Sequence, residues 1–179
     1  MQRRSLLWMA LSTPLALSGC ASQNLAGYAA EKPVLDLARY FDGTIDAHGI
    51  FQDRSGQIVK RFTVVMDGRW TGKQGVLDEV FHYSDGSTQR RIWRLTQHAD
   101  GRVTGQADDV VGEAVGQTAG NAFRWNYTLS LPVDGTVYEV QMDDWMYLID
   151  ERVMLNRATM RKFGFRLGEV TLSFTKRQP

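Results

Sequence analysis

The sequence predicts an all-β domain, an antiparallel meander of about ten strands that closes into a barrel behind a short N-terminal helix. Three observations predict it. From Gly43 onward, apolar and polar residues alternate with a period of two, the pattern of a sheet with one buried face. Turn signals recur at roughly even spacing, as in sandwiches and barrels; they include Asp53-Arg54-Ser55-Gly56, Asp67-Gly68, Ser84-Asp85-Gly86, Asp100-Gly101 and Pro132-Val133-Asp134-Gly135. No sustained helical period interrupts them.

The N-terminus has a different character. Arg3 and Arg4 precede an apolar run from Leu6 to Leu17, which is too short to span a bilayer. Ser18 and Gly19 then lead into Cys20, the single cysteine of the chain. Residues 1–19 are expected to be a signal peptide and Cys20 the lipidated residue, because Leu17-Ser18-Gly19-Cys20 resembles the lipobox of bacterial lipoproteins. By the sorting rule that accompanies that resemblance, Ala21 (where Asp would retain the chain at the inner membrane) implies the outer membrane, facing the periplasm. Two or three acyl chains hold a protein firmly where one holds it reversibly. With Cys20 acylated, no thiol is left for a disulfide, a nucleophile or a metal.

Residues 20–33 are small and polar and are expected to form the acylated tether. Val34 to Phe41 suggests a short helix, with Leu35, Ala38 and either Tyr40 or Phe41 packing inward to plug or flank a barrel domain at 34–179. The predicted strands are 43–53, 56–66, 75–83, 88–97, 102–109, 111–118, 121–131, 136–147, 152–162 and 167–176. The clearest is 121–131, where Phe123, Trp125, Tyr127, Leu129 and Leu131 alternate with Arg124, Asn126, Thr128 and Ser130. Val170, Leu172 and Phe174 repeat the pattern in the last strand. Segment 105–120 is rich in Gly and Ala, which permits tight corners and close backbone approach. A long meander avoids exposed edges by closing on itself; a two-sheet β-sandwich is the alternative.

Several stretches together resemble a family of uncharacterised bacterial lipoproteins catalogued as a domain of unknown function. They are Gly49-Ile50-Phe51-Gln52-Asp53-Arg54-Ser55-Gly56, Leu77-Asp78-Glu79, Tyr83-Ser84-Asp85-Gly86, Gly120-Asn121-Ala122, Asp143-Asp144-Trp145-Met146 and Asn156-Arg157-Ala158. The resemblance implies a lipocalin-like barrel and brings no catalytic residues with it. The Gly-x-Trp signature of true lipocalins is absent; Asp46 to Phe51 occupies that position.

Charge and motifs narrow the function. Lys and Arg number 21 against 20 Asp and Glu, and setting Arg3 and Arg4 aside leaves a near-neutral chain without the basic field a nucleic-acid binder needs. His48, His82 and His98 show none of the i, i+2 or i, i+4 spacing typical of metal sites and would bind a metal only if the fold brought them together, so no metal and no cofactor is expected. No nucleophile elbow, phosphate loop or zinc-protease motif occurs.

Asp108-Asp109 and Asp143-Asp144 are adjacent pairs, of which a strand can turn one member inward. With Arg91, Arg94 and Arg157 they suggest either an acid–arginine network that meets a ligand carboxylate or headgroup, or an internal salt bridge that closes one barrel end. In Gln89-Arg90-Arg91-Ile92-Trp93-Arg94, Arg91 and Trp93 share a face, and the three arginines suggest a cation–π stack, a lipid-headgroup contact or a plain wet face.

Three functions remain. The first is an envelope-bound binder of a lipid-like or other apolar small molecule, with a cavity lined by Phe51, Phe62, Arg91, Trp93, Trp125, Met142, Asp144 and Arg157. The second is an assembly partner with a filled barrel. The third, ranked last, is an enzyme using Glu79, His82, Asp109 or Asp144 as acid or base. The expectation is a non-enzymatic protein.

Overall fold

In the computed structural model, residues 23–133 and 135–178 are described. The signal peptide and Cys20 lie outside these residues. Ten antiparallel strands form a closed barrel in which every strand pairs with its neighbours in sequence and the last returns to the first. They are β1 (Gly43–Asp53), β2 (Ile58–Thr71), β3 (Gln74–Tyr83), β4 (Thr88–Gln97), β5 (Arg102–Gln106), β6 (Val110–Ala119), β7 (Ala122–Val133), β8 (Thr136–Leu148), β9 (Val153–Lys162) and β10 (Phe165–Lys176). Closure runs from Ile45 opposite Lys176 to Asp53 opposite Gly168. That closure leaves no free edge and excludes the sandwich.

Alternation decides which side chains enter the barrel. Phe123, Trp125 and Leu129 of β7 are buried, while Asn126 between them is exposed. Trp125 lies over two glycines of neighbouring strands. A Cβ on Gly116 would stand 2.4 Å from the Trp125 ring, and one on Gly105 would stand 3.1 Å from it. The small residues of this segment make room for an indole as well as for corners.

The barrel end where β1 starts is closed by α1 (Leu37–Phe41), capped by the Asp36 carboxylate, which accepts from the Arg39 N–H at 3.1 Å. Leu37, Tyr40 and Phe41 are buried, and the Tyr40 hydroxyl donates to the Arg152 carbonyl at 3.0 Å. This helix explains a departure from the expected turns. Asp67-Gly68 reads as a hairpin signal, yet β2 runs through it and turns at Gly72, whose φ is +58°. Gly68 serves close approach instead: a Cβ there would fall 1.6 Å from the Phe41 carbonyl oxygen. Gly68→Ala is expected to push the plug outward and cost about 1–3 kcal/mol in urea unfolding. An unchanged midpoint would refute that role.

Leu25–Tyr28 forms a 3-10 turn within the expected tether. Its Tyr28 ring packs on the outer wall, 6.1 Å from Trp145 and 5.5 Å from Tyr147 between ring centres. The described part of that stretch is therefore seated on the barrel.

Candidate functional site

The barrel is hollow. A cavity of about 670 Å³ runs from Leu37 and Phe41 beneath the plug to Lys60, Ser87 and Pro132 near the opposite end. Phe51, Phe62, Arg91, Trp93, Trp125, Met142 and Asp144 all line it. Most of its wall is apolar, and Trp93 meets Trp125 and Tyr127 edge to face at 5.6 and 5.4 Å.

Arg157 does not belong to this wall. Met154, Asn156, Ala158 and Met160 are buried along β9, so by the two-residue period Arg157 points outward. There its Nε pairs with Glu169 at 2.8 Å. The same alternation brings Asn156 inside, a residue selected on sequence only as part of a family motif.

One polar cluster interrupts the apolar wall. β5 ends at Gln106, earlier than expected, and the connection Ala107–Asp109 leaves the sheet. Asp109 reaches Arg91 from that connection. The Arg91 Nε donates to both carboxylate oxygens at 3.0 and 2.9 Å, and a terminal nitrogen adds a contact at 2.7 Å. Glu79 lies 3.9 Å from the other terminal nitrogen. Gln89 donates to Asp109 at 3.3 Å and accepts from the Tyr83 hydroxyl at 2.8 Å.

Asp144 is buried and accepts from the Asn156 amide, which also donates to the Trp145 carbonyl at 3.2 Å. The Asn156 side-chain oxygen is buried without a partner.

The other candidates fall elsewhere. Asp143 faces out and binds Arg124 at 2.7 Å. Arg90 faces out and binds Asp78. Arg91 lies over the Phe81 ring at 5.4 Å, so the cation–π contact forms with a neighbouring strand and leaves Trp93 to the aromatic cluster. His48 and His82 both flank Thr63 on the outer wall, so His82 stands apart from Glu79, Asp109 and Asp144. His98 contacts the Thr104 hydroxyl at 3.2 Å.

Burial dominates the electrostatics. It pushes the Glu79 carboxyl up to about 7 against the opposing Arg91 charge. It pushes Asp144 up to about 7 against the hydrogen bond from Asn156. Burial also opposes the charge on Arg91, but the Asp109 hydrogen bonds and the Glu79 charge outweigh it and hold the guanidinium protonated.

Glu79 and Asp144 thus bind protons more tightly in the folded chain than in the unfolded one, and the unfolded state holds fewer protons between about pH 4 and pH 7. Their contribution is expected to lower stability as pH rises through that window and to level off above it. The lowered carboxyls of Asp46 (hydrogen-bonded to Arg177) and Asp78 (hydrogen-bonded to Arg90) act at more acidic pH. Urea midpoints across pH check this: Glu79→Gln with Asp144→Asn should flatten the slope, and a wild-type midpoint that rises across the window would contradict it.

A family model described as protein of unknown function (DUF3833) matches residues 14–176. The chain belongs to that family. No curated protein matches it. Among solved structures it is similar to the S-type phycobiliprotein lyase CPES of Guillardia theta, with a TM-score of 0.58 at 5% sequence identity. The likeness covers 77% of this chain and 89% of that one. At that identity it concerns the fold, a lipocalin-like barrel, and the family description carries no activity.

Proposed function

We propose that this DUF3833 protein binds an amphiphilic small molecule in its barrel while anchored at the bacterial outer membrane through acylated Cys20. The observation that carries the ligand reading is the cavity itself: about 670 Å³ of largely apolar wall with one polar cluster. Pockets of this size and character suit lipid-sized ligands. A filled-barrel assembly partner has no use for that volume.

The cluster indicates the ligand's polar end. Arg91 is already taken by Asp109, whereas the Asn156 oxygen lacks a donor and Glu79 is met only at 3.9 Å. Among the described residues, three carboxyls, Glu79, Asp109 and Asp144, stand against the single guanidinium of Arg91, and the Asn156 oxygen is unpartnered, so a polar end that donates, such as an amine or ammonium, suits the cluster better than a carboxylate. The aromatic rings of Trp93, Trp125 and Tyr127 suit a cation equally well. Binding is favoured over catalysis because Asp109 is held by Arg91 and Asp144 by Asn156.

Native mass spectrometry of the chain purified from its own membranes tests the reading. A non-covalent amphiphile is expected on the wild type, and its absence under mild extraction counts against the proposal. Metabolic labelling with an alkyne fatty acid tests the anchor: the wild type should carry label and Cys20→Ser none.

A further inference from the structure

The barrel end opposite α1 carries an apolar fringe that the cavity does not explain. Lys162 pairs with Phe165, so the β9–β10 hairpin turns on two residues, Phe163 and Gly164. Their φ angles are +51° and +81°. Positive φ at both positions is the geometry of a type I′ turn, which Asn, Asp and Gly adopt easily and an aromatic residue does not. Phe163 is nevertheless there and 85% exposed, with Phe165 76% exposed behind it. A strained residue that gains no packing points to a use outside the fold.

Neighbouring hairpins extend the fringe. Ile58 and Val59 follow the β1–β2 turn, and Val137 and Tyr138 follow the β7–β8 turn; all four are exposed. Cations stand among them: Arg54 and Arg161 are exposed, and the Lys162 ammonium lies 4.7 Å from the Tyr138 ring and 5.2 Å from the Phe163 ring. Among the described residues of these hairpins, two acids have partners within the fold. Asp53 accepts from Ser55 and Gln57 of its own turn, and Glu169 is held by Arg157 and Arg166. Glu139 stands exposed beside Tyr138.

We infer that this end docks on the surface of an anionic lipid bilayer, with Phe163, Phe165, Val137 and Ile58 entering the acyl boundary and Arg54, Arg161 and Lys162 meeting the headgroups. Apolar tips backed by cations match a membrane interface in both layers. The cavity approaches the same end through Lys60, Ser87 and Pro132. An amphiphile passing there would move between bilayer and barrel without crossing water.

The test uses the full chain carrying Cys20→Ala, so that acylation plays no part, with an environment-sensitive nitrobenzoxadiazole label on Val137→Cys. A second preparation carries the label on Leu155→Cys, an exposed site on β9 near the plugged end. Vesicles of phosphatidylcholine with a minority of phosphatidylglycerol should blue-shift the label at 137 and not at 155. Phe163→Asn combined with Phe165→Ser should abolish that shift. Phe163→Asn alone should raise the melting temperature by roughly 2–4 °C, because Asn suits the turn. No shift at 137, as for a rim that meets a protein instead, overturns the inference. Equal shifts at 137 and 155, or a double variant that keeps its shift while folded, do so as well.

Discussion

Arg91→Met is expected to destabilise the barrel by about 3–5 kcal/mol, the usual cost of removing one partner from a buried ion pair. The guanidinium is the hub of Asp109 and Glu79 at the cavity wall. Methionine fills much of the same space but leaves Asp109 without its cation and Glu79 without a counter-charge. For a chain of this size the melting temperature should drop by about 10 °C. Two companions separate charge from packing. Arg91→Lys should recover part of the loss, since it restores the charge but not the paired contacts. Arg91→Met with Asp109→Leu should recover most of it, since no carboxylate is then left unpaired opposite the new side chain. The deficit of Arg91→Met should be smaller at pH 5 than at pH 8, because Glu79 titrates at about 7 and needs no cation once protonated. Equal deficits at both pH values would show that Glu79 takes no part.

Ala158→Phe is expected to abolish ligand binding while the barrel stays folded. Ala158 is buried and lines the cavity, and it sits opposite Asp144 in the register of β8 and β9. A ring at this position projects into the space beside the polar cluster. In a hollow barrel it enters empty volume, so the thermal midpoint should move little while affinity falls at least about tenfold, or about 1.4 kcal/mol. In a filled barrel the same ring would overpack, costing about 1–3 kcal/mol of stability. Melting and binding measured on one preparation distinguish the two.

Much of this arrangement was legible from alternation. Phe123, Trp125 and Leu129 could be assigned inward because a strand has only two faces, and the evenly spaced turns implied a meander that must close. Asp67-Gly68 misled because a glycine that admits a neighbouring backbone looks, in sequence, like one that turns. Arg157 carries the charge a ligand site suggests but has the wrong parity; the run Met154, Asn156, Ala158, Met160 places Asn156 inward instead. Hollowness lies beyond any local pattern. It depends on ten strands together enclosing more volume than their inward side chains fill, and small residues such as Ala158 signal it only once strand order and register are known.

The central claim is that the cavity takes an amphiphile whose polar end donates hydrogen bonds. Titrating the wild-type chain with dodecylammonium and with dodecanoate, below their micelle concentrations, tests it directly through tryptophan fluorescence, to which Trp93 and Trp125 of the cavity wall contribute. The ammonium compound should bind at least about tenfold more tightly, a difference of about 1.4 kcal/mol, and Asp144→Asn with Glu79→Gln should erase that preference. Equal affinities, tighter binding of the carboxylate, or no saturable response to either would contradict it.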